Sequence, residues 1–280
     1  MKETLKKLRD NLRPLYGERE TEAIIKIIFH FLKGWNTTDI LINTDIELSD
    51  FVKKEIDDIL LRLKNFEPIQ YITGEARFHG MEFFVDPAVL IPRPETDELV
   101  DIIAENVGDK EDLKILDLGT GSGCISIALA RSLRFPVILA TDISEKALAV
   151  AKKNAEKLKV KIDFKKLDML SEVPSGKFDI IVSNPPYVTE SEKIAMEPNV
   201  LEYEPHDALF VPDDNPLLYY YKIVEIALKD LLPEGRLYME INPLFSTDIE
   251  DLLKKNNFRE VRIIRDSSGK NRFASAIKRS

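Results

Sequence analysis

The sequence predicts an α/β fold in which an open, mostly parallel sheet follows a small bundle of helices. Residues 1–67 carry helical periodicity without strand alternation, which predicts an N-terminal helical domain. Residues 93–280 contain apolar strand-like runs separated by amphipathic stretches, an alternation that is typical of βαβ units. Between them, residues 68–92 carry extended, aromatic-rich stretches around Gly80, which predict a β-hairpin linker.

Size, charge and cysteine content limit the class of protein. The 280 residues suffice for one large or two modest domains with a buried core. A formal net charge of −9 disfavours broad binding to nucleic acid or a membrane surface, although a local basic groove is compatible with it. Cys124 is the only cysteine, so an intramolecular disulfide is impossible and a reducing compartment is expected. With neither a signal-peptide pattern nor a membrane-spanning run, we expect a cytoplasmic protein.

Three apolar stripes at helical spacing organise the N-terminal segment. Gly17 and Gly34 stand where helices would end, and Ser49 is predicted to cap the third helix. Lysine and arginine are interspersed with acidic residues, which favours solvated faces over a phosphate-binding strip. The stripes are Leu5, Leu8, Leu12 and Leu15; Ala23, Ile24, Ile27, Ile28 and Phe31; and Phe51, Val52, Ile56, Ile59, Leu60 and Leu63.

Arg93 lies between Pro92 and Pro94 at the predicted entrance of a helix. The local sequence leaves two explanations open: a surface salt bridge, or contact with a ligand or its acidic neighbours. His79, beside the turn glycine Gly80, has no cysteine or aspartate at ligand spacing, so we expect no metal site there.

The strongest indication of chemistry is a glycine-rich turn between a strand and a helix. Glycines let the backbone turn sharply and approach a ligand closely, and the helix N-terminus supplies free N–H groups. The third glycine comes one residue early for a dinucleotide fingerprint, and Asp117 precedes the turn. A carboxylate there suits a cation such as the ammonium of S-adenosylmethionine, the alternative being a turn-forming aspartate. The turn consists of Gly119, Thr120, Gly121, Ser122 and Gly123.

Acidic residues also follow the next two predicted strands. The second strand ends at Asp142, whose carboxylate can accept hydrogen bonds from both ribose hydroxyls of such a donor, and Ser144 is predicted to cap the next helix. A third strand, residues 160–164, leads to Asp168 and Met169. Asp168 could accept the adenine amino hydrogens while Met169 packs on the ring; a loop aspartate beside buried apolar residues is the alternative.

A fourth predicted strand, residues 178–183, stops at the rigid turn Asn184, Pro185, Pro186 and Tyr187. The two prolines fix φ and lack N–H groups, so the strand cannot continue and the Pro185 carbonyl has no obvious ladder partner. That carbonyl, the Asn184 amide and the Tyr187 ring suit a flat nitrogen group, either an amide or an exocyclic amine. Taken alone, the turn is typical of a plain loop, since Asn-Pro-Pro marks turns in many proteins.

The loops after these four strands are expected to converge. In open α/β sheets, ligands bind beyond the carboxyl ends of parallel strands, so Asp117, Asp142 and Asp168 should face the same crevice as Asn184. The spacing therefore predicts a methyl donor bound beside an acceptor site for planar nitrogen.

The glycine turn after Asp117, combined with the turn Asn184 to Tyr187, resembles the class I S-adenosylmethionine-dependent methyltransferases that act on planar nitrogen. Narrower motifs are similar to those of the bacterial peptide chain release factor glutamine methyltransferases, and they cover nearly the whole chain. Two features depart from that family: Asp97 stands where it usually has glutamate, and residues 210–215 replace a glycine-rich stretch. The narrower motifs are Gln70 to Gly74, Phe78 to Gly80, Val89 to Thr96, Glu197-Pro198 and Glu204-Pro205, with Asp266, Gly269 and Arg272 as structural residues near the C-terminus.

The resemblance implies a Rossmann-like domain with an antiparallel last strand, a helical domain that docks the release factor, and S-adenosylmethionine as methyl donor without a metal. It implies methylation of a glutamine side-chain amide, with Asn184 and Pro185 accepting hydrogen bonds from the amide, Tyr187 covering it, and S-adenosylhomocysteine as product. Three further residues are implied at the mouth of the cofactor or substrate site: Phe78, Arg93 and Glu95.

Other functions stay open at this point. Within the same chemistry, the acceptor could be a ribosomal-protein glutamine or the amino group of adenine in nucleic acid. From another class, the chain could be a non-catalytic S-adenosylmethionine-binding adaptor. The acidic composition disfavours free duplex DNA, and the intact Asn184 and Tyr187 disfavour a scaffold.

Overall fold

The computed structural model describes residues 1–279, which fold into two compact units. One unit comprises Met1–Glu75 together with Glu197–Tyr203, and the other comprises Ala76–Met196 together with the residues from Glu204 onward. Within residues 1–279, no helix combines the length and the apolar character needed to cross a membrane.

The first unit is built from helices around one apolar core. Its helices are α1 (Lys2–Lys33), α2 (Thr37–Ile42), α3 (Asp50–Lys64), α4 (Ile69–Thr73) and, later in the chain, α8 (Pro198–Tyr203). Gly17 has non-helical dihedrals, φ 73° and ψ 175°, so two helical stretches meet there at a kink within Lys2–Lys33, as predicted for a glycine at a helix end. Gly34 ends the second stretch in a left-handed conformation. The Ser49 hydroxyl caps α3, as predicted, by accepting the Val52 N–H at 3.4 Å.

Two segments outside residues 1–67 belong to this helical unit. Helix α4 buries Ile69 and Ile72 in the core of the unit. The Tyr203 hydroxyl donates to the Asn65 carbonyl at 2.7 Å, which attaches the segment of α8 to the end of α3. Long-range contacts of this kind carry no signal in the local periodicity of the sequence.

The second unit contains a sheet of seven strands in the order β10-β11-β9-β6-β3-β4-β5. The strands of the chain are β1 (Glu75–Phe78), β2 (Met81–Phe84), β3 (Lys114–Leu118), β4 (Val137–Asp142), β5 (Asp163–Lys166), β6 (Phe178–Ser183), β7 (Val188–Thr189), β8 (Phe210–Val211), β9 (Leu231–Glu240), β10 (Arg259–Arg265) and β11 (Asn271–Ile277). The helices of this unit are α5 (Pro94–Val107), α6 (Cys124–Ser132), α7 (Glu145–Lys157), α9 (Leu218–Asp230) and α10 (Ser246–Lys255).

Strand directions confirm the predicted fold class. Pairings among β3, β4, β5, β6 and β9 are parallel, and only the last strand, β11, runs antiparallel to both of its neighbours in this sheet of the described chain. Strands β1 and β2 form the separate two-stranded sheet expected from the residues around Gly80, and β7 pairs with β8.

Alternate side chains of the central strands face two different cores. Leu116 and Leu237 pack with residues of α9 and α10, whereas Ile115 and Tyr238 pack with residues of α5, α6 and α7. Because successive side chains of a strand point to opposite faces, the sheet is the middle of three layers. Its strand ends are thereby rigid supports for the loops that follow them.

The third strand of the sheet begins later than predicted. Strand β5 covers Asp163–Lys166 and not residues 160–164. Lys159 has a φ of 56°, and the Val160 N–H donates to the Ala155 carbonyl at 3.0 Å, so the chain at this point is still closing the C-terminal end of α7.

Candidate active site

The carboxyl ends of four neighbouring strands lie in one row. Leu118 of β3 pairs with Thr141 of β4 and with Ser183 of β6, and Ser183 pairs with Met239 of β9. The next residue of each strand therefore stands at the same edge of the sheet. These four residues are Gly119, Asp142, Asn184 and Glu240.

The glycine turn is held against the neighbouring strand and helix. The N–H groups of Gly119 and Thr120 both donate to the Thr141 carbonyl at 2.9 Å. Gly123 precedes α6 with a φ of 81°, and a Cβ atom there would lie 3.1 Å from the Ala151 Cβ on α7. Only glycine satisfies both the backbone conformation and this close approach.

Asp117 is fully buried beneath the turn. Its Oδ2 accepts hydrogen bonds from the Thr120 hydroxyl at 2.7 Å and the Ser126 hydroxyl at 2.6 Å. Its Oδ1 has no hydrogen-bond partner within residues 1–279. Burial raises the pKa of the Asp117 carboxyl to about 6, against the effect of the two hydroxyls. A buried carboxylate oxygen without a donor is costly, so this atom suits a cationic donor from outside the chain.

Asp142 connects β4 to the glycine turn. Its two carboxylate oxygens accept the N–H groups of Gly121 and Ser144, each at 2.9 Å. Burial raises the pKa of Asp142, and these backbone donors oppose that rise. Each carboxylate oxygen can accept more than one hydrogen bond, so the group can still accept from a diol. Ser144 caps α7, as predicted, by accepting the Ala147 N–H at 3.2 Å.

Asp168 and Met169 follow β5 at the same edge. Asp168 accepts the Leu170 N–H at 2.9 Å and the Ser171 hydroxyl at 2.8 Å. These bonds correspond to a loop aspartate, the alternative to a contact with adenine. Met169 is buried, and its methyl carbon lies 3.5 Å from the position that a Cβ on Gly119 would occupy. Met169 thus packs on the glycine turn, whereas Asp168 stabilises its own loop.

The turn after β6 is fixed from two sides. The N–H groups of Tyr187 and Val188 donate to the Leu209 carbonyl at 3.2 and 2.9 Å. The Asn242 side chain donates to the Tyr187 carbonyl at 3.0 Å. Within residues 1–279, the Pro185 carbonyl accepts no hydrogen bond, as expected for a strand that ends in two prolines. A rigid turn therefore presents an open acceptor.

The side chains of this turn belong to a buried hydrogen-bond network. The Asn184 amide nitrogen donates to the Thr96 hydroxyl oxygen at 3.2 Å, and the Thr96 hydroxyl donates to Glu240 Oε2 at 2.6 Å. The Tyr187 hydroxyl donates to Glu240 Oε1 at 2.8 Å. Burial raises the pKa of Glu240, and burial together with the charge of Glu240 raises that of Tyr187.

The sequence alone indicates no individual role for Thr96 or Glu240. Thr96 is the last residue of a motif, and its partner Glu240 lies 144 positions away. A usable signal exists for Glu240, because an acidic residue directly follows the buried run 237–239 just as Asp142 ends its strand.

The residues expected at the mouth of the site occupy different environments. Phe78 is buried against Phe83, with ring centroids 5.9 Å apart at 85°. Arg93 pairs with Glu204 at 2.5 Å, which corresponds to the salt-bridge explanation. Glu95 is partly exposed, and its charge contributes to raising the pKa of Glu240, so it lies near the Asn184 network.

Both departures from the family pattern have local partners. Asp97 accepts hydrogen bonds from the backbone N–H of His79 at 3.0 Å and from its ring Nδ1 at 2.5 Å. In the stretch 210–215, β8 pairs with β7, and Asp213 accepts the Ser191 N–H at 2.9 Å. The described residues contain no group of three or more His, Cys, Asp or Glu side chains arranged to hold a metal ion.

The C-terminal motif has the structural role expected for it. Arg272 donates to Asp266 at 3.1 Å, and Gly269 adopts a φ of 84° in the turn before β11. Several hydrogen bonds and the Arg272 charge lower the pKa of Asp266 to about 2, the largest contribution coming from the Ser268 hydroxyl.

Comparison with solved structures supports the fold. A methyltransferase from Pyrococcus furiosus superposes with a TM-score of 0.53 at 20% identity, covering 72% of this chain and 90% of that one. The Thermus thermophilus 16S rRNA N2 G1207 methyltransferase, solved with AdoMet and guanosine, gives a TM-score of 0.52 at 20% identity over 73% of this chain and 50% of that one. At this identity the likeness concerns the fold alone, and it confirms the predicted methyltransferase architecture.

Comparison with family models and curated sequences is more specific. The model of the methyltransferase small domain matches residues 81–202, and that of the PrmC N-terminal domain matches residues 3–74. A release factor glutamine methyltransferase of Bacteroides thetaiotaomicron is 45% identical over 96% of this chain and 97% of its own length. Proteins of the same name from Flavobacterium psychrophilum and Streptococcus pneumoniae are 44% and 39% identical, over 94% and 92% of this chain and 93% and 92% of their own lengths. The resemblance seen in the motifs is confirmed, and this chain belongs to the release factor glutamine methyltransferase family.

Proposed function

We propose that this chain transfers a methyl group from S-adenosylmethionine to the side-chain amide nitrogen of a glutamine in a peptide chain release factor. The observation that carries the proposal is a pair of acceptors at one strand end. The Asn184 side-chain oxygen and the Pro185 carbonyl have no hydrogen-bond partner within residues 1–279, and they follow β6 at the edge that bears the glycine turn. Two acceptors match the two N–H groups of a primary amide, and the relatives are named for release factors and glutamine.

Residues at the same edge fit the methyl donor. When bound, S-adenosylmethionine supplies a methyl group activated by a sulfonium, so the transfer requires no metal. We assign its ammonium to Asp117 Oδ1, which has no hydrogen-bond donor within residues 1–279, and its ribose hydroxyls to Asp142. Met169 and the turn 119–123 would contact the rest of the donor. We assign the adenine amino group to Asp168 because of its place after β5 at the same edge, although Asp168 also closes its own loop.

The acceptor nitrogen needs positioning more than a base. An amide nitrogen is a poor nucleophile because its lone pair is delocalised into the carbonyl. Hydrogen bonds from its two N–H groups to Asn184 and Pro185 would hold it in line with the methyl group and favour the charge that develops as the N–C bond forms. As the N–C bond forms, the bond between the donor's sulfur and the methyl group would break, S-adenosylhomocysteine would leave, and the nitrogen would pass one proton to water. Tyr187 would cover the amide plane. Pro186 keeps the turn rigid by its fixed φ.

A protein acceptor agrees better with the charge of the chain than nucleic acid does. The net charge of −9 opposes binding to a polyanion. We propose that the helical unit, which carries the match to the PrmC N-terminal domain, docks the release factor, and that the reaction takes place in the cytoplasm.

The test is mass spectrometry of a release factor incubated with this chain and methyl-labelled S-adenosylmethionine. We expect a single labelled methyl group on one glutamine, and no label in a factor whose modified glutamine is replaced by asparagine. Nucleic acid and ribosomal protein are offered in parallel reactions. Label in nucleic acid or ribosomal protein alone would overturn the release-factor assignment, and donor binding without transfer to any acceptor would indicate an adaptor.

A further inference from the structure

Glu240 and Thr96 are buried beside the turn Asn184 to Tyr187, called the acceptor turn below, and form hydrogen bonds with its side chains. Both side chains are only 2% exposed, and they join α5 to the end of β9 through a 2.6 Å hydrogen bond. Glu240 also accepts the Tyr187 hydroxyl at 2.8 Å, and Thr96 accepts the Asn184 amide nitrogen at 3.2 Å. Two residues of the acceptor turn therefore depend on one buried carboxylate.

The direction of each hydrogen bond follows from the number of protons available. An ionised carboxylate can only accept, so the single hydroxyl proton of Thr96 points to Glu240. The Thr96 oxygen can then only accept, and it must face the NH2 group of Asn184. The side-chain oxygen of Asn184 is consequently turned to the opposite side, where it has no hydrogen-bond partner among the described residues. In this way the charge of Glu240 determines which end of the Asn184 amide a substrate meets.

The same carboxylate orients the aromatic ring of the turn. The phenolic proton of Tyr187 has one bonded acceptor, Glu240 Oε1, and the backbone carbonyl of Tyr187 is held separately by the Asn242 side chain. Because the O–H bond of a phenol lies in the plane of its ring, the hydrogen bond to Glu240 favours one plane for the Tyr187 ring. Arg272 supplies a nearby positive charge that favours the ionised form of Glu240 against the effect of burial.

We propose that Glu240 and Thr96 are positioning residues for methyl transfer: they act through Asn184 and Tyr187 to present an oxygen acceptor and a fixed ring plane to the planar nitrogen. This inference deepens the proposed function and rests on it. A glutamine at position 240 has nearly the same shape but can donate as well as accept. Glu240→Gln therefore lets Thr96 donate to Asn184, with the amide of Asn184 turned so that NH2 faces the substrate, a donor that cannot accept the substrate N–H.

The test compares Glu240→Gln, Thr96→Val and Thr96→Ser with the wild type in single-turnover methyl transfer. Glu240→Gln and Thr96→Val should each slow transfer by about 10-fold to 100-fold, because the Asn184 oxygen would no longer hold the substrate amide in line with the methyl group. The affinity for S-adenosylmethionine and the KM for the release factor should change by less than about 3-fold. Thr96→Ser retains the hydroxyl and should recover most of the rate lost in Thr96→Val. Thr247→Val is the control and should leave the rate unchanged, since Thr247 is an exposed threonine of α10, outside both the proposed site and the helical unit.

A double-mutant comparison separates positioning from general loss of structure. In the Asn184→Ala background there is no amide to orient, so Thr96→Val should slow transfer by less than about 3-fold more. If Thr96→Val acted through a general loss of structure, its full loss of rate would multiply that of Asn184→Ala. The positioning role is overturned if the two rate losses multiply in full, or if Thr96→Val transfers the methyl group as fast as the wild type. In either case, glutamine labelling by the wild type leaves the proposed function intact. A wild type that labels no glutamine overturns both. If Glu240→Gln does not fold, the Thr96 pair decides the question alone.

Discussion

Arg93 and Glu204, 111 positions apart in the chain, form a charge-assisted hydrogen bond of 2.5 Å. The second oxygen of Glu204 accepts the backbone N–H of Ile91 at 3.1 Å. The Glu204 side chain is 2% exposed and the Arg93 side chain 31%, so the acid of the pair is buried while water reaches the arginine. One carboxylate thus fixes the segment that leads into α5, and with it the start of the helix that carries Thr96.

We expect Glu204→Gln to destabilise the sheet-containing unit by about 2 kcal/mol, because it leaves a partly buried guanidinium without its counter-charge. That value is below the full cost of breaking a buried pair, since water reaches Arg93. Urea denaturation of the wild type and variant measures the difference. Glu250→Gln, which removes the exposed pair with Lys254, is the control and should cost less than about 0.5 kcal/mol. Equal losses in the two variants would contradict the importance of burial.

Asn184→Ala should reduce the rate of single-turnover methyl transfer by about 10²-fold to 10³-fold, because it removes an acceptor aligned with the reacting nitrogen. The affinity for S-adenosylmethionine, measured by calorimetry, should change little, since Asp117 and Asp142 carry the predicted donor contacts. Asp142→Asn is the opposite case and should weaken donor binding more than it slows transfer at saturating donor. A parallel fall of rate and donor affinity in Asn184→Ala would refute its assignment to the acceptor.

Asp117 predicts a pH dependence of stability. Its pKa of about 6 lies above the ordinary value of 3.8, so protonation of Asp117 favours the folded state. This stabilisation is fully present below pH 3.8 and is lost as the pH rises through about 6. The free energy of unfolding should fall by about 3 kcal/mol over that range. Relative to Asp117→Asn, the wild type without donor should therefore become less stable between pH 4 and pH 7, which denaturation at several pH values measures.

The methyl donor should act against that trend. Its ammonium favours the ionised form of Asp117, so the affinity of the wild type for S-adenosylmethionine should rise as the pH increases through about 6. In Asp117→Asn the affinity should be lower and flat over that range. A stability difference between the two proteins that does not vary with pH would show that Asp117 titrates normally.

Gly123→Ala should cost about 2 kcal/mol, because a side chain at φ 81° is strained and its Cβ would meet the Ala151 Cβ at 3.1 Å. Gly269→Ala is the matched control: its φ of 84° is similar, but nothing lies within 4 Å of the added Cβ. The control should cost about 1 kcal/mol, the strain of the backbone alone. Comparable losses in thermal denaturation would mean that contact with α7 is unimportant.

How much of this site is visible in the sequence depends on the distance over which each contact acts. The glycine turn, the acids that end strands and the double proline of Pro185 and Pro186 are local features, and the structure brings their loops to one edge of the sheet because the parallel strands are in register. The partnership of Thr96 with Glu240 spans 144 positions and has no periodicity. The sequence predicts β5 too early because the left-handed conformation at Lys159, which lets the chain close the end of α7, has no signal in a lysine.

Asn154, buried on α7, forms three hydrogen bonds to backbone groups through its side chain. Its side-chain oxygen accepts the Phe84 N–H at 2.7 Å, and its nitrogen donates to the carbonyls of Phe84 and Ser122, each at 2.9 Å. One amide therefore ties β2 to the glycine turn. Asn154→Ala leaves three backbone groups without partners, and we expect it to cost about 3 kcal/mol in urea denaturation. Asn256→Ala, which removes one partly buried hydrogen bond to the Leu252 carbonyl, should cost about 1 kcal/mol or less.

Amide hydrogen exchange distinguishes this connection from a general loss of stability. In Asn154→Ala the Phe84 amide should lose more protection than the amides of β3, because its acceptor is the missing side chain whereas the β3 amides bond within the sheet. Donor affinity should fall as well, because Ser122 belongs to the glycine turn that the Asn154 side chain holds in place. If Phe84 and β3 lose protection by the same factor, Asn154 supports the core of the unit as a whole and not the connection between β2 and the turn.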